Sequence, residues 1–344
     1  MAAAGAPRTG EAMAGLRAMV LAAGMGERMR PLTDHLPKPL LPIANRPVMG
    51  YVLEHLARHG FTQVIANVHY RPEEIVEHFG DGSEYGVRLA FSYEEELLGP
   101  AGGVRRCRDF LANDTFLVTG ADDLTGMDLT ALVQAHRRVG ALASIGLVEV
   151  EHTSDYGIVV TDEDGSIQRF VEKPKGEAPS RTANTQIYLF EPEIFDFVPP
   201  DRFYDWGFHA FPAMVKAGVP FYGFRLDGYW RDIGSIEDYL TANGDVLARR
   251  LEARMAGTEV EPGLWLGQGA TIEPAAKLEP PASVGEGCVV EAGASVVGGT
   301  SVGAGVKVPA GTALSGCVVW ARARIPSGAR LDRAVVTAGG VFRG

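Results

Sequence analysis

A chain of 344 residues is long for one domain and comfortable for two. An apolar fraction of 46% supports a substantial core and excludes disorder as the default state. The balance of 32 basic against 43 acidic side chains, -11 overall, argues against a broad nucleic-acid surface but leaves room for a local cationic pocket.

Residues 1–15 are Ala/Gly-rich with Arg8 and Glu11 and are read as a flexible tail before the first strand. The apolar stretch from Ala18 to Ala23 is too short for the core of a signal peptide, and no run approaches a membrane span. Cys107, Cys288 and Cys317 lack metal-ligand spacing and read as buried thiols, so the chain is expected to be cytoplasmic, with no membrane partner.

From Leu16 to Ala248, strand-like runs alternate with amphipathic segments. The strands are expected at Ala18 to Ala23, Gln63 to Val68, Val87 to Ser92, Thr115 to Thr119 and Ala143 to Val150. Helices are expected at Pro47 to His59, Pro72 to Phe79 and Leu129 to Val139, with another from Ile236 to Met255. This alternation predicts a Rossmann-like, doubly wound, mostly parallel sheet over residues 16–250, in the α/β class. A linker over 251–261 leads to a second domain over 262–344.

In that second domain an aliphatic residue recurs every six positions, at Leu266, Ile272, Leu278, Val284, Val290, Val296, Val302, Val308 and Leu314. Trp320 takes the next step, and the phase slips near Ile325. A period of six is neither helical nor simple alternation. It predicts a parallel β-helix in which three hexads make one coil. Acyl transfer on such hexads needs a histidine, and none follows His209, so a structural or oligomerising role is expected. Association into a homo-oligomer fits an exposed end coil.

The chemistry concentrates after the first strand, in LAAGMGERMRPLT (Leu21 to Thr33) followed by PKPLLP (Pro37 to Pro42). Phosphates need closely approaching backbone N–H groups, which Gly24 and Gly26 permit, and fixed positive charge, which Arg28 and Lys38 supply. The prolines on either side of Lys38 restrict its backbone. A lone G-x-G is more often an ordinary strand-to-helix turn. Met29 at the third glycine position excludes a dinucleotide fingerprint, and no G-K-S/T follows to make a Walker loop.

This segment resembles the signature of the sugar-1-phosphate nucleotidyltransferases, and further segments follow in order. LGPAGGV (98–104) is similar to the family's L-G-T-A-G, with Pro100 for Thr, and FLVTGADDL (116–124) to its h-h-h-N-G-D, which puts Asp122 at the metal-binding aspartate. YGI (156–158) and FVEKP (170–174) resemble the sugar-phosphate elements, NTQIY (184–188) resembles N-A/T-G-I-Y, and GYWRDIGS (228–235) carries Asp232. Longer members also carry a left-handed β-helix of hexapeptide repeats.

The resemblance implies transfer of a nucleoside monophosphate from an NTP to a sugar 1-phosphate, with Arg28, Lys38, Asp122, Lys173 and Asp232 as catalytic residues. It implies nucleotide contacts at Leu21, Ala22, Gly24, Gly26, Arg28, Lys38, Glu94, Gly99 and Gly102. Gly157, Glu172, Lys173 and Asn184 are placed on the sugar phosphate, and Asp122 and Asp232 on Mg²⁺, a hard cation that takes oxygen ligands. Each residue also has a plain structural reading. Asp122 and Asp123 can cap a loop, Lys173 can be a solvated turn, and Asp232 can start the helix at Ile236. Asp205, Trp206 and His209 look adjacent to the site.

The resemblance implies that the base is read near Tyr93 to Gly99, although the acidic triplet Glu94 to Glu96 reads equally well as a solvated loop. Guanine presents two adjacent donors that suit a carboxylate, so Glu94 leans towards GTP, and NVHY (67–70) with FGDGS (79–83) resembles mannose-1-phosphate guanylyltransferases. UTP, dTTP or ATP with glucose 1-phosphate or another sugar is the alternative. Gln186, where glycine is usual, adds a side chain near the sugar. A catalytically silent relative that binds nucleotide sugar competes with the enzyme, and retention of all five catalytic residues favours the enzyme.

Overall fold

The computed structural model describes residues 15–344, so the tail expected over 1–15 lies, apart from Gly15, outside them. The described chain forms two compact units. One holds the residues up to Met25 with Val52–Asp123 and Met127–Trp230, and the other holds Gly26–Tyr51, Leu124–Gly126 and Arg231–Gly344. Among the described residues no helix is long and apolar enough to cross a membrane.

The first unit is built on a nine-stranded sheet. Its strands are β1 (Arg17–Leu21), β2 (Gln63–Val68), β3 (Arg88–Tyr93), β4 (Phe116–Gly120), β5 (Ala143–Glu149), β6 (Gly157–Thr161), β7 (Ile167–Glu172), β8 (Thr182–Phe190) and β9 (Phe221–Arg225). They lie in the order β7-β6-β8-β4-β1-β2-β3, with β5 paired to β8 and β9 to β5. β4, β1, β2 and β3 are mutually parallel, whereas β8 runs antiparallel to β4 and β5. The inner parallel strands β4, β1 and β2 are largely buried apolar runs, as strands covered on both faces must be, whereas β3 at the sheet edge alternates with exposed residues. Met19, Phe116, Val118, Ile145, Phe190 and Trp206 meet in the core, where the Phe190 and Trp206 rings stack at 4.6 Å.

Helices form where the apolar spacing predicts them. Leu129–Val139 starts at Asp128, whose carboxylate accepts from Ala131 N, and stops at Gly140, which takes a left-handed φ of 61°. From β1 the chain steps outward to β2 and β3, then returns to β4 on the other side of β1. That reversal is a topological switch point, and a crevice at the carboxyl ends of such strands is where open α/β sheets bind ligands. Leu21 pairs with Gly120 at those ends.

In the second unit, helix Ile236–Leu247 is capped by Ser235, which accepts from Asp238 N and donates to Asp238 Oδ2. The helix expected to reach Met255 ends at Leu247, and the chain turns away at Arg249, whose φ is 57°. Beyond it, short strands stack as a parallel β-helix with three faces. Leu264 pairs with Ala282 and Ala282 with Thr300, an 18-residue step equal to three hexads. Val284, Val290, Val296, Val302, Val308 and Leu314 are buried in its interior.

One expected position is corrected. The step shortens to 17 where Val302 pairs with Val319, so Val319 takes the interior place and the phase slips before Trp320. The loss of one residue turns Trp320 out of the stack, and its indole Nε1 donates to Tyr239 Oη at 3.2 Å.

Candidate active site

In the first unit, the loop after β1 is stitched to its neighbours through its backbone. Ala121 N donates to Leu21 O at 3.1 Å, and Ala22 N donates to Asn67 Oδ1 at 2.9 Å. Gly24 is exposed, and a Cβ there would meet open space, so no protein packing demands the glycine.

Of the two aspartates after β4, Asp123 is fully buried and its Oδ2 accepts from Gly120 N at 3.2 Å. The loop-capping reading thus describes Asp123, whereas Asp122 is only half-buried at the carboxyl end of the sheet.

Glu94 is 4% exposed, and both of its oxygens are engaged within the chain. Oε1 accepts from Asn67 Nδ2 at 2.7 Å and Oε2 from Leu98 N at 3.0 Å. Asn67 therefore joins the loop after β1 to the loop after β3, a role that sequence reading overlooks because a single asparagine has no periodic signal. Gly99 and Gly102 have a packing explanation. Cβ atoms there would stand 2.6 Å from Tyr204 O and 2.8 Å from Arg202 O. The amides of Ala101 and Gly102 both donate to Tyr204 O at 3.1 Å.

Around β7, Glu172 and Gly157 come together, since a Cβ on Gly157 would lie 2.8 Å from Glu172 Oε2. Gly207 approaches the same oxygen, and burial, followed by the negative charge of Asp205, raises the Glu172 carboxyl above its usual range despite Lys173. Asp205, one of the three residues expected beside the site, belongs to this group, and Gly207 is an addition that the sequence reading missed. Lys173 is exposed on a left-handed backbone, φ 43°, with its N–H on Tyr156 O. Asn184 is buried and turned inward, donating to Tyr188 Oη and accepting from Gln186 N. Gln186 has φ 60°, in the region where glycine is comfortable. Trp230 Nε1 donates to Thr185 O at 3.2 Å, a packing role for that indole.

The second unit gathers the cations. Gly26, φ 63°, begins the turn that carries Arg28. A Cβ there would collide with Thr33 Cγ2, and Thr33 Oγ1 donates to Gly26 O. Arg28 lies 3.6 Å and Lys38 Nζ 4.0 Å from the carboxylate of Asp232. Arg28 is 58% exposed, whereas Lys38 and Asp232 are largely covered. A Cβ on Gly234 would meet the Arg28 guanidinium at 2.8 Å, so the glycine after Ile233 makes room for it. One carboxylate thereby holds two cations from a segment about two hundred residues earlier in the chain.

A family model for nucleotidyl transferase matches residues 17–249. UTP–glucose-1-phosphate uridylyltransferase of Synechocystis is 43% identical over 267 residues, spanning 73% of this chain and 69% of that protein. Mannose-1-phosphate guanylyltransferase of Mycobacterium tuberculosis is 35% identical over 280 residues, 76% of this chain and 77% of the relative. The crystal structure of HddC from Yersinia pseudotuberculosis shares the fold, with a TM-score of 0.60 at 23% identity over 67% of this chain and 99% of that one. With the motifs in order, the switch-point sheet and a match across more than half its length, this chain belongs to the nucleotidyl transferase family, among the sugar-1-phosphate nucleotidyltransferases.

Proposed function

We propose that the chain makes a nucleotide sugar from UTP and glucose 1-phosphate, with GTP and mannose 1-phosphate as the second pair to be tested. The observation that carries the transfer chemistry is the gathering of Arg28 and Lys38 on the Asp232 carboxylate. Two polyanions must meet in this reaction, and fixed cations lower that barrier.

The choice of base turns on Glu94. A guanine-reading carboxylate needs oxygens open to the ligand, and those of Glu94 are buried and already accepting from Asn67 and Leu98. The argument for GTP weakens accordingly, while the relative of 43% identity is named for UTP and glucose 1-phosphate. The 35% identical guanylyltransferase supports the second pair.

In the reaction, an oxygen of the sugar phosphate forms a bond to the α-phosphorus. The bond from that phosphorus to the bridging oxygen breaks, and pyrophosphate leaves with the electron pair. The nucleophile is ionised without a general base, because a phosphate monoester's second pKa is about 6. Arg28 and Lys38 lie along the triphosphate with the amides of Gly24 and Gly26, Lys173 neutralises the sugar phosphate, and Glu172 accepts sugar hydroxyls. Asp122 in the first unit and Asp232 in the second each offer hard carboxylate oxygens, a donor type that suits Mg²⁺ completed by substrate phosphates and water. When bound there, the cation supplies charge neutralisation of the leaving pyrophosphate. Three free, buried thiols suit a cytoplasmic setting.

The test pairs each NTP with several sugar 1-phosphates and Mg²⁺ and follows pyrophosphate. Release with UTP and glucose 1-phosphate is the expected result. Preference for GTP and mannose 1-phosphate supports the second pair, and tight nucleotide-sugar binding without release from any pair replaces the enzyme with a regulatory protein.

A further inference from the structure

The segment that carries Lys38 runs on into a buried hairpin whose tip is fastened to the β-helix. Pro42–Ile43 pairs antiparallel with Arg46–Pro47, and the two residues between them, Ala44 and Asn45, both take left-handed backbones, φ 45° and 65°. Such a turn favours Asn-Gly, so an alanine at the first position is held there against its preference. What holds it lies in the β-helix and the helix before it. Ala44 N donates to Asn243 Oδ1 at 2.9 Å, and Asn45 Nδ2 donates to Ser283 Oγ at 2.9 Å and Val302 O at 3.1 Å.

Asn243 is fully buried, and both ends of its amide are bonded. Its Oδ1 also accepts from Ser301 Oγ at 2.8 Å, and its Nδ2 donates to Gly299 O at 2.8 Å. One amide thus ties the hairpin tip, the helix Ile236–Leu247 and a β-helix coil together. A second tie lies one step back along the hairpin. Tyr239 Oη donates to Pro42 O at 2.6 Å and accepts from Trp320 Nε1, the indole turned outward by the 17-residue step. On the other side of Lys38, a Cβ on Gly339 would stand 2.9 Å from His35 Nε2, so the last β-helix hairpin abuts that flank too. Buried polar networks with every member satisfied rigidify what they join.

We infer that the β-helix is a positioning device for the triphosphate-binding cations, with Asn45 and Asn243 as positioning residues. The inference rests on the proposed role of Arg28 and Lys38. Neither asparagine touches substrate. They fix the backbone that presents Lys38 to Asp232, and the coils supply the rigid partner. The repeat domain then contributes to catalysis without chemistry of its own, which fits its lack of any histidine.

The test uses the full chain with Mg²⁺, equilibrium binding of inorganic tripolyphosphate by calorimetry, and steady-state kinetics. Asn45→Ala and, across the contact, Ser283→Ala are expected to weaken tripolyphosphate binding and raise the NTP KM, by about tenfold for Asn45→Ala. The KM for sugar 1-phosphate should stay within about twofold, and the double variant should lose less than the sum of the singles, as contacting residues do. Unchanged tripolyphosphate binding in folded variants overturns the inference, as does equal damage to both substrates. Trp320→Phe removes the donor to Tyr239, together with part of the ring's bulk, and stands in if Asn45→Ala does not fold. It should weaken tripolyphosphate binding in the same direction, and unchanged binding again overturns the inference. Wild-type chain that neither binds tripolyphosphate nor releases pyrophosphate overturns the proposed function and this inference together. An active wild type with undisturbed variants overturns this inference alone.

Discussion

Asp232 holds Arg28 at 3.6 Å with a carboxylate that is nearly covered, while most of the guanidinium stays open to solvent. An exposed arginine anchored at one end by a covered carboxylate is poised to meet an anion with its free face. Asp232→Asn keeps the shape and removes the charge, and is expected to lower kcat by at least about a hundredfold. Asp122→Asn should do likewise, with circular dichroism unchanged. Near-normal turnover in either variant would mean that the carboxylates are not where the leaving charge develops. Chelation with EDTA should abolish pyrophosphate release, and added Mg²⁺ should restore it.

Glu94 offers a test that separates holding the loop from reading the base. Glu94→Gln puts an amide N–H₂ where one oxygen now accepts from Asn67 or Leu98, leaving a buried donor facing a donor. A loss of about 1–3 kcal/mol in stability is expected. The loss of activity should be similar for every NTP. A selective change in the preference between GTP and UTP would restore Glu94 as the base reader.

Glu172 gives a pH signature. Its folded pKa is raised by burial and by Asp205, so the folded chain keeps this proton to a higher pH than the unfolded chain does. Its contribution to stability is therefore greatest below the unfolded value and declines as pH rises through the folded one. Sugar binding needs the opposite, ionised form. The KM for sugar 1-phosphate should rise on acidification at a pH above the ordinary carboxylate range, and Glu172→Gln should remove that limb. An identical pH profile in the variant would exclude Glu172 from sugar binding.

His55 should make the protein acid-sensitive. Burial, with His59 and Arg58 adding to it, lowers this imidazole from 6.5 to about 3. Between those values the unfolded chain takes up a proton that the folded chain refuses, so stability falls as pH drops through that window. Melting temperature measured from pH 7 to 4 should decline, and less steeply in His55→Gln. The neutral ring bonds Met127 O through Nε2 at 3.0 Å, a bond the amide can keep. Parallel declines in both proteins would assign the acid sensitivity to other groups.

Much of the architecture is legible in the sequence because it repeats. Gln63 to Val68, Pro72 to Phe79 and Leu129 to Val139 are found where the apolar spacing sets them, and the six-residue period marks the coils. The motif residues Arg28, Lys38 and Asp232 are recognisable by their order, and all three meet in space. Single polar residues that join distant segments are harder to read. Asn67, Asn45 and Asn243 act through one amide each, and nothing periodic announces such contacts. The displacement of Trp320 comes from one missing residue in a coil, which shifts the register without altering the composition.

The β-helix face that begins at Leu264–Leu266 ends on both sides in strands of opposite direction, Thr258–Glu261 at one end and Gly340–Arg343 at the other. A stack of parallel coils is a template that can add copies of itself without limit. Reversed strands carrying Glu259, Glu261 and Arg343 make that face a poor seed for another coil. That face of the solenoid is in this sense blunted at both of its ends.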